Sequence, residues 1–148
     1  MSGEQKTVNS EQEDVSSREG LKGLKNAKPH RNLLAWQRSM DLVVGIYEVT
    51  KRFPKEEVYG LSSQLRRAAI SVPSNIAEGA ANRTTQQFST FLSTAIGSLH
   101  EIDTHLDLAH RLGYLTQQDY SRLYEQLDEC IALTYGLRRS VAVRTRAG

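Results

Sequence analysis

The chain has 148 residues, of which 39% are hydrophobic and 24% charged, and its formal net charge is +2. This composition is typical of one globular domain and excludes a chain that is disordered throughout, while a mildly basic charge permits nucleic-acid contact without requiring it. The single cysteine excludes an internal disulfide framework, and the sequence has neither an apolar run of about 18 residues nor an apolar signal region. We therefore expect a cytoplasmic protein that makes no contact with a membrane.

Residues 1–29 differ in composition from the rest, and we interpret them as a disordered polar tail. They are rich in Ser, Glu, Gln, Lys and Gly and contain few apolar residues to bury. Acidic residues dominate as far as Glu19, and three lysines follow before Pro29. The tail is either a solvated segment or a hook whose basic end touches a phosphate backbone when a partner is present.

The first predicted helix runs from about Leu33 to Arg52. Phe53-Pro54 ends it, because the residue before a proline disfavours the helical conformation. We predict that its bulky apolar residues form the stripe facing the core: Leu33, Trp36, Met40, Val43, Val44 and Tyr47.

The second predicted helix covers about Glu56 to Ala81, and Gly60 can separate a short first turn from the rest. Its inner stripe follows helical spacing: Leu61, Leu65, Ala68, Val72 and Ile76. Pro73 interrupts the pattern, where it removes one backbone donor and clashes with the carbonyl of Ala69. We therefore predict a kink there, surrounded by small residues that let another backbone come close.

The third and fourth predicted helices are marked by their ends. Thr84 to Gln87 has the form of a capping box, Gly113 is suited to a left-handed C-terminal cap, and Thr116 with Asp119 opens the last helix. The third helix has the stripe Phe88, Leu92, Ala95, Leu99, Ile102, Leu106 and Ala109. The fourth has Tyr120, Leu123, Leu127, Ile131, Thr134, Leu137 and Val141.

Four helices with short connectors predict an all-α protein, an antiparallel up-and-down four-helix bundle over residues 30–143. No alternating strand pattern competes with this interpretation. Residues 144–148 are predicted to form a basic, frayed C-terminal tail.

Several segments together resemble the bacterial four helix bundle protein family, known for proteins encoded in intervening sequences of the 23S ribosomal RNA gene. The resemblance covers about Leu33 to Val141. It is carried by Trp36-Gln37, Ile46–Pro54, Tyr59–Leu61, Gln64–Ala69, Ser71–Gly79 and Gly97–Glu101. It implies a barrel-shaped homopentamer with a central channel and no established catalytic activity. The family is related to the accessory variability determinant proteins of diversity-generating retroelements, which bind nucleic acid and a partner reverse transcriptase.

The first half of the predicted bundle, from His30 to Arg83, carries eight basic and five acidic residues. A ring of subunits would repeat this surplus and attract a phosphate backbone. The candidate nucleic-acid-binding residues are Arg66, Arg67, Lys51, Arg52, Arg83 and Arg38. The alternative is that these cations pair across helices with Glu48, Glu78, Glu101 or Asp103. Aromatic residues do not alternate with them, so any contact should be to the backbone of RNA or DNA rather than to stacked bases.

Gly97 lies within a predicted helix, where glycine costs about 1 kcal/mol relative to alanine. Ser93 and Glu101 lie four residues to either side of it, which produces a small stripe beside a carboxylate. The stripe either packs closely inside one bundle or meets a neighbouring subunit, where Glu101 would accept from an arginine such as Arg66 or Arg67. We predict an oligomer interface at Ser93, Gly97, Glu101 and Pro73, where the bend at Pro73 shapes the contact.

Enzyme interpretations find less support. His100, His105 and His110 are spaced five apart, about 140° around a helix, so they do not share one face for a metal. Asp107 with His110 has the spacing used by di-iron bundles, but the second such motif is missing. Cys130 has no basic neighbour in sequence to activate it and is predicted to be a small core residue. We expect no catalytic residues, metal site or cofactor.

Two function classes remain. One is a homo-oligomeric accessory protein that binds RNA or DNA, of the intervening-sequence or retroelement type. The other is a protein-interaction scaffold, for example for a reverse transcriptase, whose cations serve subunit pairing only. Salt dependence of nucleic-acid binding distinguishes them, because only backbone contacts release counterions.

Overall fold

Four α-helices contain most of the residues that the computed structural model describes, which are 28–82 and 84–147. They are α1 (Leu34–Thr50), α2 (Leu61–Ala81), α3 (Thr85–Arg111) and α4 (Gln117–Ala147). Short 3₁₀ turns at Pro29–Asn32 and Lys55–Glu57 precede α1 and α2. The described ranges contain no strand, so the prediction of an all-α protein is confirmed.

The helices pack as an up-and-down bundle. α1 contacts α2 and α4, and α3 contacts the same two helices, so each helix has its sequence neighbours beside it and α4 closes the bundle against α1. Connectors of a few residues make consecutive helices antiparallel. The end of α1, the start of α2 and the α3–α4 connector therefore lie at one end of the bundle.

The predicted helix ends are confirmed by their hydrogen bonds. The Thr84 hydroxyl accepts from the backbone N–H of Gln87 at 3.2 Å, and the Thr116 hydroxyl accepts from that of Asp119 at 3.1 Å. Both satisfy a donor that the first turn of a helix leaves without a partner. Gly113 has φ of +78°, as the left-handed cap requires. Gly60 does separate a short first turn from α2.

Apolar burial follows the predicted stripes of α2, α3 and α4. Every member of the α2 stripe is buried, and the α3 stripe is buried except for the partly covered Phe88. In α4 the residues Tyr120, Ile131 and Leu137 are partly buried and the others fully. Cys130 is fully buried, as predicted, and burial raises the pKa of its thiol to about 12, which suits a core residue rather than a nucleophile.

The predicted inner stripe of α1 is wrong in part, because the most deeply buried residues of this helix lie on a neighbouring stripe. The buried residues of this helix are Ala35, Ser39, Leu42, Gly45, Ile46, Val49 and Thr50. Met40 is 41% exposed and Val44 57% exposed, whereas other members of the predicted stripe are partly buried. α1 carries two apolar stripes, and the core takes the one with smaller residues, since Gly45 lets α4 approach: a Cβ there would lie 3.0 Å from Leu123 Cδ2. Of the second stripe, Met40 and Val44 face outward, whereas Leu33, Trp36 and Val43 pack against the core.

A second close helix contact lies where α2 meets α3. A Cβ added at Gly79 would lie 2.8 Å from Phe88 Cδ1 and 2.9 Å from Phe91 Cβ. The helices approach so closely there that only glycine fits without a shift. α2 itself is continuous through Pro73, whose side chain is buried within the bundle of its own protomer. The prediction that Pro73 itself lies in the oligomer interface is therefore wrong for this protomer surface, and Pro73 can influence a subunit contact only through the shape of α2.

Helical structure reaches into both predicted tails. α4 extends to Ala147, so the last residues continue the helix past the predicted boundary at residue 143. The predicted disordered tail lies outside the described residues up to residue 27, and Pro29 already belongs to a 3₁₀ turn. In the described ranges, no helix is both long and apolar enough to cross a lipid bilayer.

Candidate nucleic-acid interface

An open groove with a volume of about 560 Å³ lies between the end of α1, the connector that follows it and the first turns of α2. Pro54 ends the α1 segment and turns the chain, which places the connector beside α2. We call this the basic groove, because four cationic side chains are among its lining residues. They are Lys51, Lys55, Arg66 and Arg67.

The start of α2 is held in place by Glu57. Its carboxylate Oε2 accepts from the backbone N–H of Leu61 at 2.8 Å, and its Oε1 accepts from the Tyr114 hydroxyl at 3.3 Å. A Cβ at Gly60 would lie only 2.6 Å from that Oε2 atom, so glycine leaves room for the cap. Burial and the Glu57 carboxylate raise the pKa of Tyr114, which keeps its hydroxyl protonated as a donor. One wall of the groove is thus tied to the α3–α4 connector.

Arg66 is ordered by contacts within its own protomer. Its Nε donates to the Thr50 hydroxyl at 2.8 Å, and its guanidinium carbon lies 4.6 Å from the centre of the Tyr47 ring. The Thr50 hydroxyl in turn donates to the carbonyl of Ile46 at 2.7 Å. Neither contact neutralises the charge of Arg66, because both partners are uncharged. The guanidinium therefore stays cationic and keeps N–H groups for a further acceptor.

The other three cations of the basic groove have no ion-pair partner among the residues that the structure describes. Arg67, Lys51 and Lys55 are all exposed. No carboxylate belongs to the described lining, where the remaining residues are Tyr47, Thr50, Phe53, Pro54, Val58, Ser62, Ser63 and Ile70. Four positive charges without an anion between them attract an oligoanion such as a phosphate backbone.

The remaining candidate cations lie elsewhere. Arg38 donates to Glu129 at 2.9 Å, and Arg52 donates to Asp119 at 2.8 Å, so both pair with α4. Neither carboxylate is among the four partners expected from the sequence. Pairing across helices is nevertheless what these two arginines do. Arg83 lies outside the described residues.

Asp119 has more bonding partners than Glu129. It accepts from Arg52 and from Arg122, and its own backbone N–H is bound by Thr116. Burial raises the pKa of this carboxyl, but the bonds from Arg52 and Thr116 and the two positive charges outweigh burial and lower it. Arg52 is therefore engaged at a nearly buried anion outside the basic groove.

The predicted interface stripe of α3 is on the surface of the protomer. Ser93, Gly97 and Glu101 are all exposed, and a Cβ at Gly97 would meet no atom within 4 Å. Close packing inside one bundle is therefore not the reason for Gly97. Glu101 contacts His105, one turn along α3, at 3.3 Å, and Arg138 donates to the Ser93 hydroxyl at 3.2 Å.

The outer face of α1 and α2 is apolar next to the basic groove. Val44 is 57% exposed and Ile70 is 44% exposed, and both line a shallow groove of about 420 Å³. This groove shares Tyr47, Lys51 and Ile70 with the basic groove. Glu48 is the one carboxylate in the described lining of this second groove. An exposed apolar patch beside unpaired cations is suited to a macromolecular partner.

The histidines of α3 have separate neighbours. His100 is 3.1 Å from the Tyr135 hydroxyl, and His110 is 3.0 Å from Gln117 and stacks on Tyr120. Within the part of the chain that the structure describes, no three His, Cys, Asp or Glu residues come together as metal ligands would.

Sequence reasoning missed part of this site. Lys55 is not among the candidates from sequence, Tyr47 is predicted only as a core-facing residue of α1, and Thr50 has no predicted role. The contacts of Arg66 with Tyr47 and Thr50 join residues 19 and 16 positions apart. Predicting these contacts requires knowing which side of α1 faces α2. The stripe predicted for α1 was wrong in part, so this orientation could not be inferred.

Comparison with known proteins identifies a matching family and a solved structure with a similar fold. A model of the family described as 23S rRNA-intervening sequence protein matches residues 31–136. A solved structure from Bacteroides thetaiotaomicron, a protein of unknown function from the S23 ribosomal protein family, is similar with a TM-score of 0.67. The two sequences are 22% identical, and the match covers 72% of this chain and 96% of the other. At this identity the similarity concerns the fold. A search of curated proteins found no match.

Proposed function

Because the chain belongs to the 23S rRNA-intervening sequence protein family, we propose that it is a non-enzymatic, homo-oligomeric accessory protein that binds the backbone of RNA or DNA. The observation that carries the proposal is the basic groove, where Lys51, Lys55, Arg66 and Arg67 line one surface with no carboxylate among the described lining residues. The proposed cellular location of the protein is the cytoplasm, where nucleic acid is accessible.

The chemistry of the groove favours contact with phosphates over readout of bases. Lysine and arginine side chains reach phosphate oxygens, and the Ser63 hydroxyl of the groove adds a neutral donor. The aromatic residues of the described lining are Tyr47 and Phe53. Phe53 is buried, and Arg66 lies over the Tyr47 ring, so that face does not take a base. We therefore expect weak sequence preference and strong dependence on salt.

Assembly strengthens the proposed function. A homopentamer, which the family resemblance implies, would repeat the four cations of each protomer around a ring and raise the local potential. The exposed stripe of Ser93, Gly97 and Glu101 on α3 is the proposed subunit interface, since a Cβ at Gly97 would meet no atom of the described residues within 4 Å. In this arrangement the protein would act like the retroelement accessory proteins, which the resemblance relates to its family and which bind nucleic acid.

The second candidate function is a protein-interaction scaffold. Its support is the apolar surface beside the basic groove, where Met40, Val44 and Ile70 are each more than 40% exposed. A protein partner, such as a reverse transcriptase, would cover these side chains and use the nearby cations for orientation. Such a scaffold would not bind naked nucleic acid.

Fluorescence anisotropy with a labelled RNA hairpin and a labelled DNA duplex tests the proposal. The variant Lys51→Gln/Lys55→Gln/Arg67→Gln should lose at least tenfold in affinity, because it removes the three cations that have no described partner. Arg52→Gln is the matched control, since this arginine pairs with Asp119 outside the groove. If the wild-type protein binds neither probe at low salt while its oligomer is intact, the scaffold function is favoured.

A further inference from the structure

We propose that the acidic segment Glu11–Asp14 of the same chain binds in the basic groove and competes there with other polyanions. The segment belongs to residues 1–27, outside the described part of the chain. The contact itself is independent of the proposed function, whereas the competition rests on it.

Charge complementarity is the first argument. The sequence Glu-Gln-Glu-Asp places three carboxylates within four residues, the densest acidic run in the chain. The groove offers three cations that lack an ion-pair partner among the described residues, Lys51, Lys55 and Arg67, and a fourth in Arg66. Val15 follows the acidic run, and the groove has the exposed apolar side chains of Val58 and Ile70.

The carboxylates on the surface of the bundle are weaker candidates than the Glu11–Asp14 segment for binding in the groove. Several carboxylates of the bundle are already paired within the protomer: Asp41 and Glu129 with Arg38, Asp119 with Arg52, and Asp107 with Arg111. An acidic face of a second copy would have to break such pairs or use isolated charges. The Glu11–Asp14 run brings three charges together in one short stretch of chain.

The segment can reach the groove from its own protomer. The described chain begins at Lys28, next to the 3₁₀ turn Pro29–Asn32, which packs against α1 and α2. The groove is at the far end of α1, and 17 helical residues at about 1.5 Å each give about 25 Å. The 14 residues from Asp14 to Lys28 have a root-mean-square span of about 20 Å and an extended reach of about 45 Å.

The expected contact is weak and easily displaced. Exposed ion pairs contribute little each, but a tethered segment acts at an effective concentration in the millimolar range. A few such pairs then occupy the groove at low ionic strength and leave it when salt screens them. The tail thus lowers non-specific binding of polyanions and gives way to a partner with more negative charges.

Zero-length carbodiimide cross-linking of the full-length protein tests the contact, because it joins a carboxylate to a lysine amine only where they touch. The chain has six lysines, and the two that follow residue 29 are Lys51 and Lys55, both in the groove. Trypsin cuts after Lys6 and Arg18, so Glu4, the Glu11–Asp14 run and Glu19 fall on three different peptides. Mass spectrometry therefore identifies which part of the tail reaches the groove.

The result expected is several-fold more linkage of Lys51 or Lys55 to the Glu11–Asp14 peptide than to the Glu4 or Glu19 peptides, lost at about 0.5 M salt because the Debye length falls below about 5 Å. Links within one protomer are distinguished from links between protomers by mixing ¹⁴N- and ¹⁵N-labelled protein before the reaction. Equal yields from all three peptides, no link to the groove lysines, or links only between protomers would overturn the proposal.

Competition is measured with Glu11→Gln/Glu13→Gln/Asp14→Asn, and Glu4→Gln/Glu19→Gln is the control of similar charge change. The first variant should bind a DNA duplex several-fold more tightly than wild type at low salt, and the control should change little. Cross-links without any gain in affinity would overturn the competition. If neither wild type nor variant binds nucleic acid, the proposed function fails, and the cross-links alone decide whether the segment occupies the groove.

Discussion

The Arg66 side chain donates from Nε to the Thr50 hydroxyl at 2.8 Å, which joins the second turn of α2 to the last residue of α1. Thr50 is buried and passes the contact on by donating to the carbonyl of Ile46. Arg67, the next residue, has no ion pair or hydrogen bond among the described residues and is exposed. Two neighbouring arginines therefore differ in role: one orders the groove and the other is available to a ligand.

The first prediction is that Arg66 and Arg67 differ in their contribution to stability. Arg66→Gln should lower the free energy of unfolding by about 1–2 kcal/mol, because it removes a hydrogen bond and a cation–π contact. Arg67→Gln should change it by less than about 0.5 kcal/mol, as is usual for an exposed residue without partners. Thermal unfolding at one protein concentration measures both. Equal losses for the two variants would show that the Thr50 contact contributes nothing.

The second prediction compares two glycines in helices. Gly79→Ala should destabilise the fold by about 1–2 kcal/mol, because the contacts with Phe88 and Phe91 force a shift that outweighs the better helix propensity. Gly97→Ala should stabilise the isolated fold by about 0.5–1 kcal/mol, since its Cβ would meet open space.

The same Gly97 variant tests the proposed subunit interface. If the α3 stripe meets a neighbouring protomer closely, Gly97→Ala weakens assembly even though it favours the helix. Light scattering should give about five times the chain mass of 16.6 kDa for the wild-type protein and a smaller species for the variant. An unchanged oligomer would place the interface elsewhere, with the apolar face around Met40 and Val44 as the next candidate.

The third prediction concerns the cap of α2. Glu57→Ala should lower the free energy of unfolding by about 1 kcal/mol, because the backbone N–H of Leu61 loses its acceptor. Glu56→Ala removes the neighbouring carboxylate, for which the described residues provide no hydrogen bond, and is the matched control. Chemical unfolding with urea gives both values, and a control as damaging as Glu57→Ala would contradict the cap.

The fourth prediction is alkaline sensitivity at Tyr124. Its hydroxyl donates to Asp103 at 2.7 Å, and this bond, with burial and the nearby carboxylate charge, raises the pKa of Tyr124 from its usual 10.0 to about 12. A pKa that is higher in the folded state means a contribution to stability that is complete below pH 10 and is lost as pH rises through about 12.

Tyr124→Phe removes that contribution. The free energy of unfolding, measured between pH 9 and 12, should therefore fall less steeply with pH for the variant than for wild type. Tyr59→Phe is the control, because Tyr59 is 96% exposed and its substitution does not alter the core. Parallel pH dependence of wild type and Tyr124→Phe would mean that the bond to Asp103 does not persist in solution.

Much of the fold could be predicted from sequence because three of the four helices have one dominant apolar stripe. Hydrophobic spacing was sufficient for α2, α3 and α4, and the caps at Thr84, Gly113 and Thr116 rest on local chemistry. α1 has two stripes of similar strength, and periodicity does not say which one the core takes. The choice depends on Gly45, whose small size matters only once α4 is beside it.

The candidate site was predicted less completely for the same physical reason. Charge composition indicated the first half of the bundle, and Arg66, Arg67 and Lys51 do share a groove. Which cations are neutralised depends on the distance to α4, which carries Asp119 and Glu129. A linear sequence does not contain that distance, so Arg38 and Arg52 could not be separated from the groove residues.

The most direct test of the central claim is the salt dependence of binding to a DNA duplex, measured for wild type and for Lys51→Gln/Lys55→Gln/Arg67→Gln. The logarithm of the wild-type association constant should fall linearly with the logarithm of salt concentration. The magnitude of the slope should drop by about 1 for each phosphate contact that the variant loses, so by up to about 3 per groove engaged. Arg52→Gln should keep the wild-type slope. Identical slopes for the triple variant and wild type would contradict a nucleic-acid site in the basic groove.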